Sequence, residues 1–333
     1  MKAANPTTIP VTILTGYLGS GKTTLLNHIL SENHGEKIAV IENEFGEAGI
    51  DNELLVQDRD EQIIEMNNGC ICCTVRGDLV RILGDLAQRR ADGTLKFDRA
   101  IIETTGLADP APVAQTFFVD DDVVANYHLD AIVTMVDAKH ANAQLDQHHE
   151  AQEQVGFADR ILLSKTDLVS PEELLTLRTR LRTMNSHAPV EVAEFGHAAV
   201  DQLLDIRAFS LPQVLAFDPA FLSDVTHEHD DTIASFVFRS DRPFDPERIE
   251  AFMGIIIERF GVDLLRYKGV LSVEGADDRI IFQGVHMLFA STPGRRWNAT
   301  EKRESVLVFI GRKLPREWFM GALDACLVET VPS

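Results

Sequence analysis

Three of the four cysteines in this 333-residue chain fall in one short run, Cys70-Ile71-Cys72-Cys73. In an extended stretch Cys70 and Cys72 face the same way, and Cys73 joins them after a local turn. Two or three thiolates can then hold one soft or borderline ion, Zn²⁺ or a similar metal. A closed structural zinc site takes four ligands. With three local thiols, the fourth must come from Glu42 or Glu47, a histidine or water. An incomplete shell suits transfer of the ion better than its storage, because an open position lets ligands exchange. A buried apolar turn and a redox thiol pair are the competing readings. Neighbouring cysteines make a poor disulfide framework, and a reducing cytosol is the compartment expected.

A second chemistry lies upstream. Gly16-Tyr17-Leu18-Gly19-Ser20-Gly21-Lys22-Thr23 is a complete phosphate-binding loop. Its glycines let the backbone curl around phosphate oxygens, and the freed N–H groups with the following helix N-terminus bind them. Lys22 is expected on the β- and γ-phosphates, the Thr23 hydroxyl on Mg²⁺ and Thr24 near the α-phosphate. Glu103 closes an apolar run and should orient Mg²⁺ through water; Gly106 then offers its N–H to the γ-phosphate. Glu42-Asn43-Glu44-Phe45-Gly46-Glu47 is an acid-rich loop in switch position. One of Glu42, Glu44 and Glu47 is expected to position the attacking water, with Glu42 taken as the candidate. Ser164-Lys165-Thr166-Asp167 follows another apolar run. The Asp167 carboxylate can accept two hydrogen bonds from guanine and the Lys165 stem can pack on the base, so the nucleotide expected is GTP or GDP.

These residues need a scaffold. Apolar runs at Ile9–Thr15, Lys37–Glu42, Gln62–Met66, Arg99–Glu103, Ala131–Val136, Arg160–Leu163 and Val190–Ala193 read as strands buried on both faces. Helical patterns at Lys22–Asn33, Gly77–Arg90, Ala111–Phe118, Ala151–Ala158 and Pro171–Met184 lie between several of them. A mostly parallel sheet flanked by helices is expected over residues 1–215. Residues 216–231, with the acidic run His227-Glu228-His229-Asp230-Asp231, read as a linker. A smaller α+β domain is expected over 232–333. Its strands are placed at Ile233–Arg239, Leu264–Val273, Arg279–Phe289 and Ser305–Gly311, and its helices at Pro246–Phe260 and Pro315–Leu327. Cys326 reads as a buried small hydrophobe; His148-His149 and His227-Glu228-His229 read as solvated acidic loops, with surface metal chelation the competing reading.

Composition bounds the partners. The hydrophobic fraction of 45% suits a globular chain, and the net charge of −21 disfavours nucleic acid and anionic membranes. Met1–Thr15 lacks the pattern of a signal peptide, and no run is long and apolar enough to span a bilayer.

The phosphate loop, Glu-Asn-Glu-Phe-Gly-Glu, Cys-Ile-Cys-Cys, Glu-Thr-Thr-Gly-Leu-Ala-Asp-Pro and Ser-Lys-Thr-Asp occur here in the order of a known family. With Leu264-Leu265-Arg266-Tyr267-Lys268-Gly269 and Phe282-Gln283-Gly284-Val285, the chain resembles the CobW/YjiA group of P-loop GTPases over nearly its whole length. The resemblance implies a slow GTPase of the class that includes the HypB and UreG nickel-insertion proteins. It implies a metallochaperone or metal insertase handling Zn²⁺ or Co²⁺ for a metalloprotein client. It assigns nucleotide and Mg²⁺ to Gly16–Thr24, guanine to Lys165 and Asp167, and metal to Cys70, Cys72 and Cys73 with Glu42 as a further ligand. Completion of the hydrolytic site by a second subunit, as in a homodimer, or by the client is compatible with it. A nucleotide-regulated zinc sensor or store and a P-loop small-molecule kinase are the alternatives.

Overall fold

The computed structural model describes residues 8–32, 34–42, 63–65, 74–194, 198, 203–206, 232–298 and 300–329. They divide into two compact units, residues 8–182 with 188–206, and residues 232–329 with 183–187. The expected linker and the domain boundary beside it lie outside the described residues.

The first unit runs β1 (Ile9–Gly16), α1 (Lys22–Ser31), β2 (Ile38–Glu42), β3 (Ile63–Glu65), α2 (Thr74–Ala91), β4 (Arg99–Glu103), α3 (Ala111–Val119), α4 (Asp121–Asn126) and β5 (Tyr127–Asp137). It continues through α5 (Ala141–Gln147), α6 (His149–Phe157), β6 (Arg160–Ser164), a 3-10 turn (Thr166–Leu168), α7 (Pro171–Met184) and β7 (Val190–Val192). The seven strands form one sheet in the order β3-β2-β4-β1-β5-β6-β7, and every neighbouring pair is parallel. Val11 and Ile13 of β1, Ile101 and Ile102 of β4, Ile132 of β5 and Leu162 of β6 are all buried. Continuous apolar runs follow from helices covering both faces.

The start of β5 differs from expectation. It begins at Tyr127, not Ala131, because Asp130 does not break it. Asp130 is buried and receives Nη1 of buried Arg99 at 3.0 Å, while Arg99 Nε donates to Glu36 at 2.9 Å. Two short helices were not anticipated. In α4 the Asp120 side chain caps the first turn by accepting from the Val123 N–H at 3.1 Å. By contrast α7 starts as its sequence indicates. Ser170 Oγ accepts from Glu173 N, and Glu173 Oε2 accepts from Ser170 N, a reciprocal capping box around Pro171.

The second unit comprises β8 (Ile233–Ser240), α8 (Pro246–Phe260), β9 (Leu264–Leu271), β10 (Asp278–Val285), β11 (Leu288–Arg296), β12 (Ser305–Arg312) and α9 (Arg316–Ala325). Its sheet is antiparallel, in the order β11-β10-β9-β12-β8. The single strand expected at Arg279–Phe289 is a hairpin, with Val285 paired to Leu288 across His286 and Met287. His286 adopts the left-handed conformation, φ 51°, without the Gly or Asn that signals such a turn. Phe236, Phe309 and Phe319 pack with ring centroids 5.2–5.4 Å apart in a core that also encloses Cys326. Burial raises the Cys326 thiol above its ordinary pKa, as suits an unreactive core residue. No described helix is long and apolar enough to cross a membrane.

Candidate nucleotide-binding site

The site forms where β1 ends. Gly16 has φ 142°, and a Cβ there would collide with the Met135 carbonyl of β5, so only glycine lets the chain leave the central strand at this point. The loop 16–21 leads into α1, whose first residues are Lys22 and Thr23. Ser20 is buried and Leu18 exposed. Lys22 Nζ donates to Gly16 O at 2.8 Å, so the loop's own carbonyl holds the ammonium. Burial pulls the Lys22 pKa below the ordinary lysine value, and nearby Glu103 partly restores it. Anionic phosphates favour that charge further.

Glu103, the last residue of β4, accepts from Thr23 Oγ1 at 3.3 Å. It also stands opposite Glu42 in the β2–β4 ladder, and Glu42 stands opposite Glu65 in the β2–β3 ladder. Three strands thus end on glutamates at one level of the sheet's carboxyl edge. Glu42 is buried, and Thr23 and Thr24 are exposed on α1. The oxygen-only donor set of Thr23 and Glu103 beside the phosphate loop fits Mg²⁺, a hard cation that keeps several waters. Gly106 packs against the loop from the other side. A Cβ on it would stand 2.7 Å from the Leu18 backbone nitrogen.

The guanine-type segment also meets the loop. Ser164, where the related signature carries Asn, donates its hydroxyl to Ser20 O at 2.7 Å. Lys165, at φ 54°, extends its ammonium to Gly19 O at 2.8 Å and to Asp137 Oδ2 at 2.6 Å. Asp167 lies exposed in the 3-10 turn, open to a base.

Asp137 was missed in the sequence. It is 2% exposed, closes β5, and accepts at Oδ1 from the backbone N–H groups of Lys139 and His140. Burial would raise its pKa, but hydrogen bonds from Lys165 and His140 outweigh that and hold the carboxyl below its ordinary range. The signal was available, since an acid ending an apolar strand had already marked Glu103. His148 is not simply part of a solvated loop. Its ring stacks on Tyr17 of the phosphate loop, centroids 4.9 Å apart.

The cysteine run Cys70, Cys72 and Cys73, the acids Glu44 and Glu47, and His227 and His229 lie outside the described residues. Among the described residues, no three His, Cys, Asp or Glu side chains gather into a metal-binding group.

A glycine loop between the central strand and helix of a parallel sheet, with a lysine, a hydroxyl and a carboxylate converging at its mouth, defines a P-loop nucleotide-binding protein. The model of the CobW/HypB/UreG nucleotide-binding domain matches residues 10–191, and that of the cobalamin synthesis protein CobW C-terminal domain matches residues 233–327. The chain belongs to the CobW/HypB/UreG family. It is 44% identical to the zinc chaperone YjiA of Escherichia coli over 310 residues, covering 93% of this chain and 96% of that protein. It is 34% identical to the zinc chaperone CobW of Pseudomonas aeruginosa, covering 96% and 92%. The Zn(II)-bound YjiA GTPase from E. coli superposes with a TM-score of 0.78 at 36% identity, covering 96% of this chain and 99% of that structure.

Proposed function

We propose that this protein is a GTPase that couples its nucleotide state to binding Zn²⁺, or Co²⁺, and passing the ion to a metalloprotein client. The observation that carries the hydrolytic half is the Thr23–Glu103 contact at the mouth of the phosphate loop. The family membership and the zinc chaperones among the relatives support the metal half.

In this reading the backbone N–H groups of Gly16–Gly21 and the start of α1 hold the phosphates, with Thr24 beside the α-phosphate. Lys22 moves from Gly16 O to the β- and γ-phosphates. Thr23 directly and Glu103 through water would hold Mg²⁺, which would supply charge neutralisation for the transferring phosphoryl group. Gly106 meets the γ-phosphate, Glu42 orients the attacking water, and Lys165 and Asp167 select guanine. The cargo ion is a substrate of the Cys70, Cys72 and Cys73 thiolates. That run begins soon after Glu65, the end of β3, in sequence. Glu42 ends the neighbouring strand and is the further ligand, so hydrolysis and metal binding share a residue.

Phosphate release from GTP without any acceptor substrate tests the reading. We expect wild-type turnover, lowered about 10²-fold or more by Glu103→Gln with GDP affinity kept. Zinc titration of the combined Cys70→Ser, Cys72→Ser and Cys73→Ser variant is expected to lose the tight site. Unchanged zinc affinity would remove the transfer role and leave a nucleotide hydrolase.

A further inference from the structure

Gln154 of α6 is 1% exposed, and none of the chemistry assigned above uses it. Its Nε2 donates to two backbone carbonyls, Gly106 O at 3.2 Å and Ala108 O at 3.1 Å. The reverse amide orientation would set its oxygen against both carbonyls, so the partners fix the assignment. Its Oε1 is buried and has no hydrogen-bond partner among the described residues. Buried amide oxygens normally accept, and leaving one unmet costs stability that an apolar side chain of similar size would not lose. The amide is therefore better explained by its two-carbonyl clamp than by packing.

The clamp grips the chain on either side of Leu107. On the opposite side Gly106 presses on the Leu18 backbone of the phosphate loop. Two further links fix α6. Thr134 Oγ1 of β5 donates to the Gln154 carbonyl at 2.8 Å, and His148, just before the helix, stacks on Tyr17. Gln154 also lines a small cavity with Tyr17, Met135 and Leu145.

We propose that Gln154 is a positioning residue that sets the Gly106 segment against the γ-phosphate and so makes the site favour GTP over GDP. This rests on the nucleotide reading above. GDP has no γ-phosphate and does not need the clamp. The test uses the full chain as wild type, Gln154→Leu and Gln154→Met. Affinities are measured for GDP and for a non-hydrolysable GTP analogue, alongside kcat. Expected are a roughly tenfold loss of analogue affinity and a lower kcat, with GDP affinity within twofold of wild type. A packing role alone would move both affinities together, and that result overturns the proposal. So does a variant that discriminates as wild type does. A wild type that binds both nucleotides equally overturns the proposal too, while absence of phosphate release from GTP overturns the nucleotide reading beneath it. Should neither variant fold, proton exchange at the wild-type Gln154 side-chain amide, followed by NMR, decides. Slower exchange of its Nε2 protons with the analogue than with GDP supports the clamp, and equal exchange overturns it.

Discussion

Asp137 carries two loads with its two oxygens. Oδ1 closes the turn onto Lys139 and His140, and Oδ2 receives the Lys165 ammonium. Asp137→Asn keeps the first and removes the charge from the second. Charge-assisted hydrogen bonds contribute about 1.5–3 kcal/mol, so nucleotide affinity should fall at least tenfold and the preference for GTP over ATP should narrow. Competition binding with the two nucleotides checks this. Because the Asp137 pKa is held low, its contribution is complete above the ordinary carboxylate range and fades only as pH falls through that lowered value; at neutral pH the link does not titrate. Lys22 behaves differently. Burial lowers its pKa in the free protein, whereas phosphates would raise it, so binding should take up protons at alkaline pH. Nucleotide affinity is expected to weaken as pH climbs towards the ordinary lysine value of about 10.4. A GDP titration series from pH 7 to 10 measures the slope, and a flat series would contradict it.

At the scale of elements, the Arg99–Asp130 pair joins β4 to β5 inside the first unit, although β1 lies between those strands in the sheet. Asp130→Ala leaves the buried Arg99 guanidinium with Glu36 but without its buried counter-charge and should destabilise the protein by about 3–5 kcal/mol; Asp130→Leu with Arg99→Met should restore most of the loss. Urea midpoints of the single and double variants check both. The same pair shows where sequence reading stops. Asp130 looks like a boundary when read alone and becomes interior to β5 once its partner from β4 is known. The phosphate loop was legible because its chemistry is local: glycines, lysine and threonine are chain neighbours. The contacts of Asp137 and Gln154 were not, because topology brings their partners from other elements, Lys165 just after β6 and Gly106 after β4. The hairpin of β10 and β11 escaped for a third reason, since His286 takes a left-handed backbone that its type does not announce.

For the whole molecule, a net charge of −21 means that compaction works against self-repulsion. Added salt should therefore raise the melting temperature, with most of the gain below about 0.2 M, where the Debye length drops under roughly 8 Å. Calorimetry across an NaCl series tests this, and a melting temperature that falls with salt would assign the stability to surface ion pairs instead. The order of the seven-stranded sheet has one more consequence, for synthesis. In the seven-stranded sheet the first of the described strands to be made, β1, ends up at the centre, and its flanking partners β4 and β5 begin only at Arg99 and Tyr127. A nascent chain at the ribosome thus carries its complete phosphate loop long before the strands that shape it exist. The neighbouring strands β4, β5 and β6 emerge only later, and until then the bare apolar β1 is a natural substrate for chaperones.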